Sequence, residues 1–148
     1  MEKQPTMKPA SQQTRVVGAM IDYFIILLLI AAEVYLYIRF PWVDSILPSH
    51  SVLYFIVLYF PFLLTPIAYR ILLEYFFSRT IGKMICRTRI VDEDGNKPSF
   101  AAICRRQLWR ISIGGPITSI YLISYFDEKG NFTRMNHDAH SHTLVIQE

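Results

Sequence analysis

The segment from Val16 to Ile38 constrains the fold more than any other part of the chain, because its 23 residues are mostly apolar. About 20 such residues are enough for a helix to cross the hydrocarbon core of a bilayer. Asp22 and Glu33 lie inside this segment and Arg15 precedes it. At about 100° per residue, these three groups return to nearly the same helix face and form one stripe. A charged group in the hydrocarbon costs about 2.5 to 3.5 kcal/mol on insertion scales, so the stripe predicts a functional site or a bundle interior.

The composition predicts a membrane protein with one domain. The chain has 148 residues, of which 52% are hydrophobic and 18% are charged, and its mean hydropathy is +0.27. A second apolar segment contains Pro61 and Pro66, which remove backbone hydrogen bonds and tend to bend a helix. Whether these prolines only bend the helix or also shape a cavity stays open. We expect spans over residues 16–38 and 52–73, within one membrane domain over residues 15–148.

Basic residues are concentrated on one side of the two predicted spans. Of the 15 Lys and Arg residues, three precede the first span and nine lie between Arg70 and Arg110, although the net charge is only +3. The positive-inside rule places both groups in the cytoplasm, together with residues 1–14, which are predicted to form a flexible N-terminus. We expect anionic lipid headgroups to be the partner of this basic region, and we do not expect nucleic acid. Cys86 and Cys104 are predicted to be reduced packing residues.

The C-terminal half changes periodicity, which predicts a small cytoplasmic β element and an amphipathic helix. Residues 89–91 and 143–146 are strand-like runs that we expect to pair, because an isolated strand leaves backbone groups without partners. This pairing would place the C-terminus in the cytoplasm. A basic amphipathic helix is predicted over residues 100–112, where it would lie at the membrane interface. Its basic residues are expected to face lipid headgroups: Arg105, Arg106 and Arg110.

A third apolar segment, over about residues 108–126, is broken by Gly114, Gly115 and Pro116. Its apolar part from Ile111 to Phe126 has 16 residues, which is short for a straight span. We expect a re-entrant or interfacial helical segment here, with a third transmembrane helix as the alternative. The predicted fold is therefore mainly α: a helical integral membrane protein with two full transmembrane helices, this additional segment and the small cytoplasmic β element.

Four motifs, taken in order, resemble those of the RDD family of prokaryotic membrane proteins. They are Arg15 with Asp22, Thr80-Ile-Gly82-Lys83, the strand, turn and basic helix that follow over residues 89–106, and His137-Asp138 before Thr143-Leu-Val-Ile146. The resemblance covers residues 14–146 and implies that Asp138 is the second Asp of the family name. It also implies a fold suited to transport, and some members of the family are linked to sodium/proton exchange.

The candidate site consists of Arg15, Asp22 and Asp138, as an ion or proton site or as a structural ion pair. Asp22 lies about 10 Å along the helix from Arg15, and we expect these two residues to pair. The balance between desolvation and a nearby Arg decides whether such a carboxylate carries a proton near neutral pH. The alternative is a pair that only fixes helix packing. Glu33 is expected to be solvated near the outer interface.

Three residues are predicted to support this site: Glu74, Gly82 and Lys83. Glu74 is a possible partner of Arg15, and Lys83 is a possible partner of Asp138 or of lipid phosphates. The histidines of the C-terminal region provide a weaker, metal-binding alternative, because imidazoles with a carboxylate suit zinc or nickel. These histidines are His137, His140 and His142. We expect no metal and no cofactor.

Two functions are compatible with these features. The leading prediction is a transporter or cation/proton exchanger of the bacterial inner membrane that uses Asp22 paired with Arg15. Two spans cannot enclose a pathway, so we expect a homo-oligomer in which Gly18 and Ala19 allow close helix approach. The alternative is a non-transporting structural or interaction module whose basic cytoplasmic face binds a protein partner or anionic lipid. We do not expect an enzyme, since no nucleophile has an activating context.

Overall fold

Two long apolar helices are the largest elements of the structure. The structure is a computed structural model, and it describes residues 8–39, 48, 51–112, 124–126 and 132–148. Helix α1 is Gln12–Arg39 and helix α2 is Val52–Phe77, and each is about 40 Å long at 1.5 Å per residue. Both are long and apolar enough to cross a membrane, and few of their residues are buried. The chain therefore has a helix over each of the two predicted spans.

Both helices begin at serine caps that the hydropathy pattern does not reveal. The Oγ of Ser11 accepts a hydrogen bond from the backbone N–H of Thr14 at 3.2 Å, at the start of α1. The Oγ of Ser51 accepts one from the backbone N–H of Tyr54 at 3.1 Å, at the start of α2. Helix α2 ends at Ser78, which has a left-handed backbone with a φ of 56°. Helix α1 begins at Gln12, four residues before its predicted span. The Ser11 cap explains this earlier start, because the serine oxygen accepts a hydrogen bond from a first-turn N–H that has no acceptor within the helix.

A two-stranded antiparallel sheet joins distant parts of the chain. The short helix α3, Ile81–Ile85, follows α2 and leads into strand β1, Thr88–Asp92. Strand β1 pairs with the last strand, which is Thr143–Gln147 and is called β4 here. Ile90 lies opposite Val145 in this register, and both side chains are buried. The strand pairing that the sequence predicts is therefore confirmed.

The N-terminal segment extends this sheet. The backbone N–H of Ala10 donates to the carbonyl of Val145 at 2.9 Å, and that of Gln147 donates to the carbonyl of Lys8 at 3.1 Å. Ala10 is only 1% exposed and belongs to the apolar cluster of the sheet. The prediction of a flexible tail over residues 1–14 is therefore wrong for its described part, because these backbone groups find partners in β4.

Helix α4, Phe100–Ser112, has the predicted bounds. Its first turn is capped by Ser99, whose Oγ accepts a hydrogen bond from the backbone N–H of Ala102 at 3.2 Å. The third apolar segment, over residues 108–126, overlaps α4 at its start. The prediction of a re-entrant or interfacial segment, with a third transmembrane helix as the alternative, concerns mainly residues 113–123, which lie outside the described residues.

The end of that segment is strand rather than helix. Strand β2, Ser124–Phe126, pairs antiparallel with strand β3, Phe132–Met135. The short helix α5, Asn136–His140, follows β3 directly and contacts both α4 and β4. We call α3, α4, α5 and the β1–β4 sheet the head of the protein. Most of the buried charged residues in the described chain lie in the head or at the ends of α1 and α2 next to it.

Candidate functional site

Asp138 is the central carboxylate of the head, and its side chain is fully buried. Its Oδ2 accepts a hydrogen bond from Nη1 of Arg15 in α1 at 2.6 Å. Its Oδ1 forms an ion pair with Nη1 of Arg106 in α4. Burial raises the pKa of Asp138, but Arg106 and Arg15 outweigh burial and hold the pKa well below its usual range. Asp138 is therefore ionised, and it joins α1, α4 and α5.

Arg15 also binds the backbone of two further segments. Its Nε donates to the carbonyl of Ala10 at 3.1 Å, and its Nη2 donates to the carbonyl of Val145 at 2.9 Å. The predicted pairing of Arg15 with Asp22 is wrong. A helical side chain leans toward the N-terminus of its helix, so Arg15 extends away from Asp22 and reaches the sheet.

Asp22 instead contacts α2 and α3. Its Oδ1 accepts hydrogen bonds from Oη of Tyr69 at 2.9 Å and from the backbone N–H of Gly82 at 2.8 Å. Its Oδ2 accepts one from Oγ1 of Thr80 at 2.5 Å. The N–H of Gly82 is in the first turn of α3 and has no acceptor within that helix. The carboxylate of Asp22 provides the missing acceptor. Both oxygens of Asp22 thus have donors, which favours the structural interpretation of this residue.

Gly82 allows α3 to lie directly against α1. A Cβ atom at Gly82 would lie 2.0 Å from the carbonyl oxygen of Gly18 and 2.9 Å from the carboxylate of Asp22. No side chain fits at such distances, so this position requires glycine. We predicted that Gly18 would allow close approach between two copies of the chain. In the structure, Gly18 permits a close approach within one chain.

Glu74 and Lys83 form a second buried ion pair. The Nζ of Lys83 lies 2.5 Å from Oε1 of Glu74, and Nε2 of Gln107 donates to Oε2 of Glu74 at 2.9 Å. The predictions that Glu74 pairs with Arg15 and that Lys83 pairs with Asp138 or lipid phosphate are therefore wrong. Burial lowers the pKa of Lys83 to about 8, because neighbouring cations offset the attraction of Glu74.

The basic residues of α4 divide between two faces. Arg105 is exposed, as expected of a residue that faces lipid headgroups. Arg106 is only 1% exposed, and its Nη1 also donates to Oγ1 of Thr143 at 2.8 Å. Arg110 is half-buried, and burial, followed by the repulsion of other arginines, lowers its pKa to about 10. Arg106 and Arg110 are one helical turn apart, so they share the face toward the head, and their predicted lipid-facing position is wrong.

The model of a family described as the RDD family matches residues 9–138. The chain belongs to the RDD family. The match includes Arg15, Asp22 and Asp138, so the motif residues of this RDD protein lie in the two polar clusters described above. Comparison with curated proteins and with solved structures gives no match.

The three histidines of the C-terminal region, predicted as a possible metal site, have three different neighbours. The Nε2 of His137 lies 3.2 Å from Nη2 of Arg110, and the ring of His140 stacks on Trp109 with 3.9 Å between centroids. His142 is exposed and lies near a surface glutamate. Within the described ranges, no group of three or more His, Cys, Asp or Glu residues is placed to hold a metal ion. The arrangement does not support the metal-binding alternative, since the rings do not converge.

Several polar residues of these clusters were not singled out from the sequence. They are Tyr69, Arg70, Gln107 and Ser141. Tyr69 and Arg70 lie near the end of the second predicted span, where a tyrosine is typical of the membrane interface and an arginine of an anchor. Gln107 could have been found from its helical spacing, because it is adjacent to Arg106 on the buried face of α4.

Glu33 lies in the other half of α1 and has an unusual environment. Its Oε1 accepts a hydrogen bond from Oγ1 of Thr65 in α2. Its Oε2 is buried and has no hydrogen-bond partner among the described residues. The prediction that Glu33 is solvated is therefore wrong. The residue is half-buried between two membrane helices and lines a cavity of about 230 Å³.

One of the two prolines of α2, Pro61, lines this cavity. The lining consists of Glu33, Leu36, Tyr37, Val57, Leu58, Pro61 and Phe62. Pro61 and Pro66 carry no N–H, so the carbonyls of Val57 and Phe62 lack the donor that a regular helix provides four residues later. Both carbonyls belong to residues that line the cavity. The prolines therefore place underused backbone oxygens near an unpartnered carboxylate oxygen.

Proposed function

We propose that this RDD protein is a membrane transporter or exchanger for protons or small monovalent cations, and that Glu33 is its ion-binding carboxylate. The observation that carries the proposal is the unpartnered Oε2 of Glu33 beside a cavity between α1 and α2. An ionisable group inside a membrane span is costly and typically marks an ion path. Asp22 was the predicted carboxylate, but both of its oxygens already accept hydrogen bonds.

The chemistry near Glu33 suits a proton or a small hard cation. A carboxylate, the hydroxyl of Thr65 and the carbonyls of Val57 and Phe62 supply only oxygen ligands. Such cations prefer oxygen ligands, and transporter sites commonly combine side chains with carbonyls released from interrupted helices. Tyr37 adds a phenolic oxygen to the lining. The site therefore favours cations over anions.

The proposal includes an arrangement in the membrane. The basic head lies on the cytoplasmic side of the bacterial inner membrane, as the positive-inside rule requires, and both ends of the chain are on that side. The pairing of β1 with β4 supports this, since two crossings by α1 and α2 return the chain to the side where it began. A homo-oligomer completes the pathway, because the two membrane-spanning helices of one chain cannot enclose it. No enzymatic step and no cofactor are part of the proposal.

A flux assay with the purified protein in liposomes tests the proposal. A pH-sensitive dye inside the vesicles reports proton movement when a sodium gradient or a pH gradient is applied. We expect Glu33→Gln to abolish the flux and Glu33→Asp to retain part of it, while Thr65→Val slows it. Glu93→Gln is the matched control, because Glu93 is an exposed carboxylate of the head.

Two results would overturn the proposal. One is a parent protein that moves protons no faster than protein-free liposomes. The other is a correctly incorporated Glu33→Gln variant with the flux of the parent. Incorporation is checked by the amount and the elution profile of each variant, so that a folding defect is not read as a transport defect.

The second candidate function is a non-transporting, membrane-anchored interaction module. It is favoured by the full use of Asp22 and Asp138 in contacts between elements, which is what a rigid scaffold requires. Its binding surface is the exposed basic side of the head, which includes Arg87, Lys97 and Arg105. An acidic protein surface or anionic lipid complements these charges.

Charge reversal separates the two candidates. We expect Arg87→Glu with Arg105→Glu to release a bound partner in a pull-down or to weaken association with anionic lipid, without changing proton flux. The matched control is Arg79→Glu, because Arg79 already pairs with Glu148 at the surface. Unchanged binding by the double variant would count against the module.

A further inference from the structure

A second cavity lies where the head meets α1 and α2, and its walls are mainly basic. Its volume is about 40 Å³. That is enough for a few water molecules or for a group of similar size, since one water needs roughly 10 to 15 Å³ by this measure. Its cationic lining residues are Arg15, Arg70, Lys83, Arg106 and Arg110. This cavity is separate from the one beside Glu33, with which it shares no residue.

Carboxylates balance only some of this positive charge. Asp138 pairs with Arg15 and Arg106. Glu74 pairs with Lys83, and its Oε2 lies 3.8 Å from Nε of Arg106, which is too far for a hydrogen bond. Asp22 also lines the cavity, but its oxygens are occupied by Tyr69, Thr80 and Gly82. Five cationic side chains on the lining therefore have only three carboxylates on or next to the cavity, those of Asp22, Glu74 and Asp138.

The positive charge that no carboxylate balances is that of Arg70 and Arg110. Across the described parts of the chain, neither guanidinium has a carboxylate within 4.0 Å. The guanidinium of Arg70 lies over the ring of Tyr23, 4.8 Å from its centroid, and the ring fixes its position without neutralising it. Arg70 and Arg110 are close enough that the positive charge of Arg70 lowers the pKa of Arg110. Two cations near each other in a cavity call for an anion.

Three nitrogen atoms on the lining have no hydrogen-bond partner among the described residues. They are Nε of Arg70, Nε of Arg106 and Nδ1 of His137, and all three are buried. The Nε2 of His137 lies 3.2 Å from Nη2 of Arg110, which can only donate, and 3.3 Å from Oδ1 of Asp138, which can only accept, so these two contacts favour opposite tautomers of the ring. Burial and Arg110 lower the pKa of His137 well below its usual value, in agreement with a neutral ring. The Nε atoms of Arg70 and Arg106 are N–H donors in every case, because a guanidinium has no acceptor.

We propose that this cavity binds a phosphate group, with Arg70 and Arg110 supplying charge and the unpartnered Nε–H groups of Arg70 and Arg106 supplying hydrogen bonds. Guanidinium groups match phosphate oxygens in both charge and planar geometry. The phosphate group can be that of a lipid headgroup or that of inorganic phosphate. Thr14 and Tyr23 are half-buried on the lining, so the cavity is open to such a group. The proposal does not depend on ion movement at Glu33.

Calorimetric titration of the full chain in micelles of a maltoside detergent, which carries no phosphate, tests the proposal. One arm uses inorganic phosphate as the probe, and the other uses a short-chain phosphatidylglycerol. We expect saturable binding of at least one probe by the parent, and binding weakened by about tenfold or more in Arg70→Gln and in Arg110→Gln. Arg89→Gln is the matched control, because Arg89 is exposed in β1 and pairs with Glu148 at the surface.

The two arms identify the source of the phosphate. Binding of inorganic phosphate that is lost in Arg70→Gln supports a free anion, and binding of phosphatidylglycerol alone supports a headgroup. Binding of neither probe by the parent would overturn the proposal and leave only water in the cavity. Equal binding by Arg70→Gln, Arg110→Gln and Arg89→Gln would also overturn it, since the charge would then act from the surface. Arg70→Lys retains the charge and serves as the folding control, with weakened but measurable binding expected.

Discussion

Arg15 and Asp138 form a direct ion pair at 2.6 Å although 123 positions separate them in the chain. Arg15 is close to the start of α1, and Asp138 is in the last helix, so the pair connects the membrane helices to the head. The same guanidinium donates to the backbones of Ala10 and Val145. A single side chain therefore joins the N-terminal segment, the C-terminal strand and α5.

Replacing Asp138 by Asn should strongly destabilise the protein. Removing one partner of a buried ion pair leaves the other charge without compensation, which typically costs about 3 to 5 kcal/mol. Here two arginines lose their carboxylate at once. Thermal unfolding in detergent measures the effect. Glu148→Gln is the control, because its surface pair with Arg79 should contribute only about 0 to 1 kcal/mol. Equal stability of the two variants would contradict the central role of Asp138.

Gly82→Ala should destabilise the contact of α1 with α3 far more than Gly18→Ala. A Cβ atom at Gly82 would lie 2.0 Å from a backbone oxygen, whereas one at Gly18 would have its nearest neighbour at 3.3 Å. Overpacking of this kind costs about 1 to 3 kcal/mol, and α3 must shift to relieve it. At Gly18, the better helix propensity of alanine offsets much of the milder crowding. Unfolding temperatures of the two variants, measured together, should therefore differ in this order.

Asp22→Asn should lower stability without acting on the proposed ion site. The amide nitrogen of Asn cannot accept a hydrogen bond, so at least one of the donors from Tyr69, Thr80 and Gly82 loses its acceptor. An unsatisfied buried donor costs about 1 to 3 kcal/mol. Asp94→Asn, at an exposed position in a turn, is the matched control. A stable Asp22→Asn variant that loses proton flux would contradict this view and restore Asp22 as the ion site.

Stability should decrease on mild acidification because of His137. Its folded-state pKa lies well below the ordinary value of 6.5, so below pH 6.5 the unfolded chain binds a proton that the folded protein does not. The contribution of His137 is therefore fully present above pH 6.5 and is lost as the pH falls toward the folded-state pKa, at up to about 1.4 kcal/mol per pH unit. His137→Gln should flatten unfolding free energies measured between pH 7 and 5. His142→Gln, at an exposed ring, should leave the slope of the parent.

Local patterns predicted the secondary structure well, because they depend on neighbouring residues. The apolar runs identified both long helices, the basic amphipathic pattern of residues 100–112 identified α4, and the strand-like run around Ile90 identified β1. The pairing of β1 with β4 was predictable as well, since few other strand-like runs were available.

The partners of the charged residues were not predictable in the same way. The sequence singled out Arg15, Glu74 and Lys83, but each received the wrong partner. These contacts depend on the direction in which each side chain leaves its helix and on the position of α5, which no local pattern specifies. Gly82 shows the limit clearly. Its sequence motif was visible, but its physical reason, the carbonyl of Gly18 directly opposite, exists only in three dimensions.

The pair of Arg15 with Asp138 also imposes an order on the synthesis of the protein. Both membrane helices are complete when residue 77 has been made, about 60 residues before Asp138 leaves the ribosome. Helices can enter a bilayer before they acquire their final tertiary contacts. After the two helices insert, Arg15 therefore has no contact with Asp138 until the last part of the chain is synthesised. Only then can the head complete its fold. A ribosome stalled before Asp138 would hold an inserted helical hairpin that a protease could still cleave at the unclosed end.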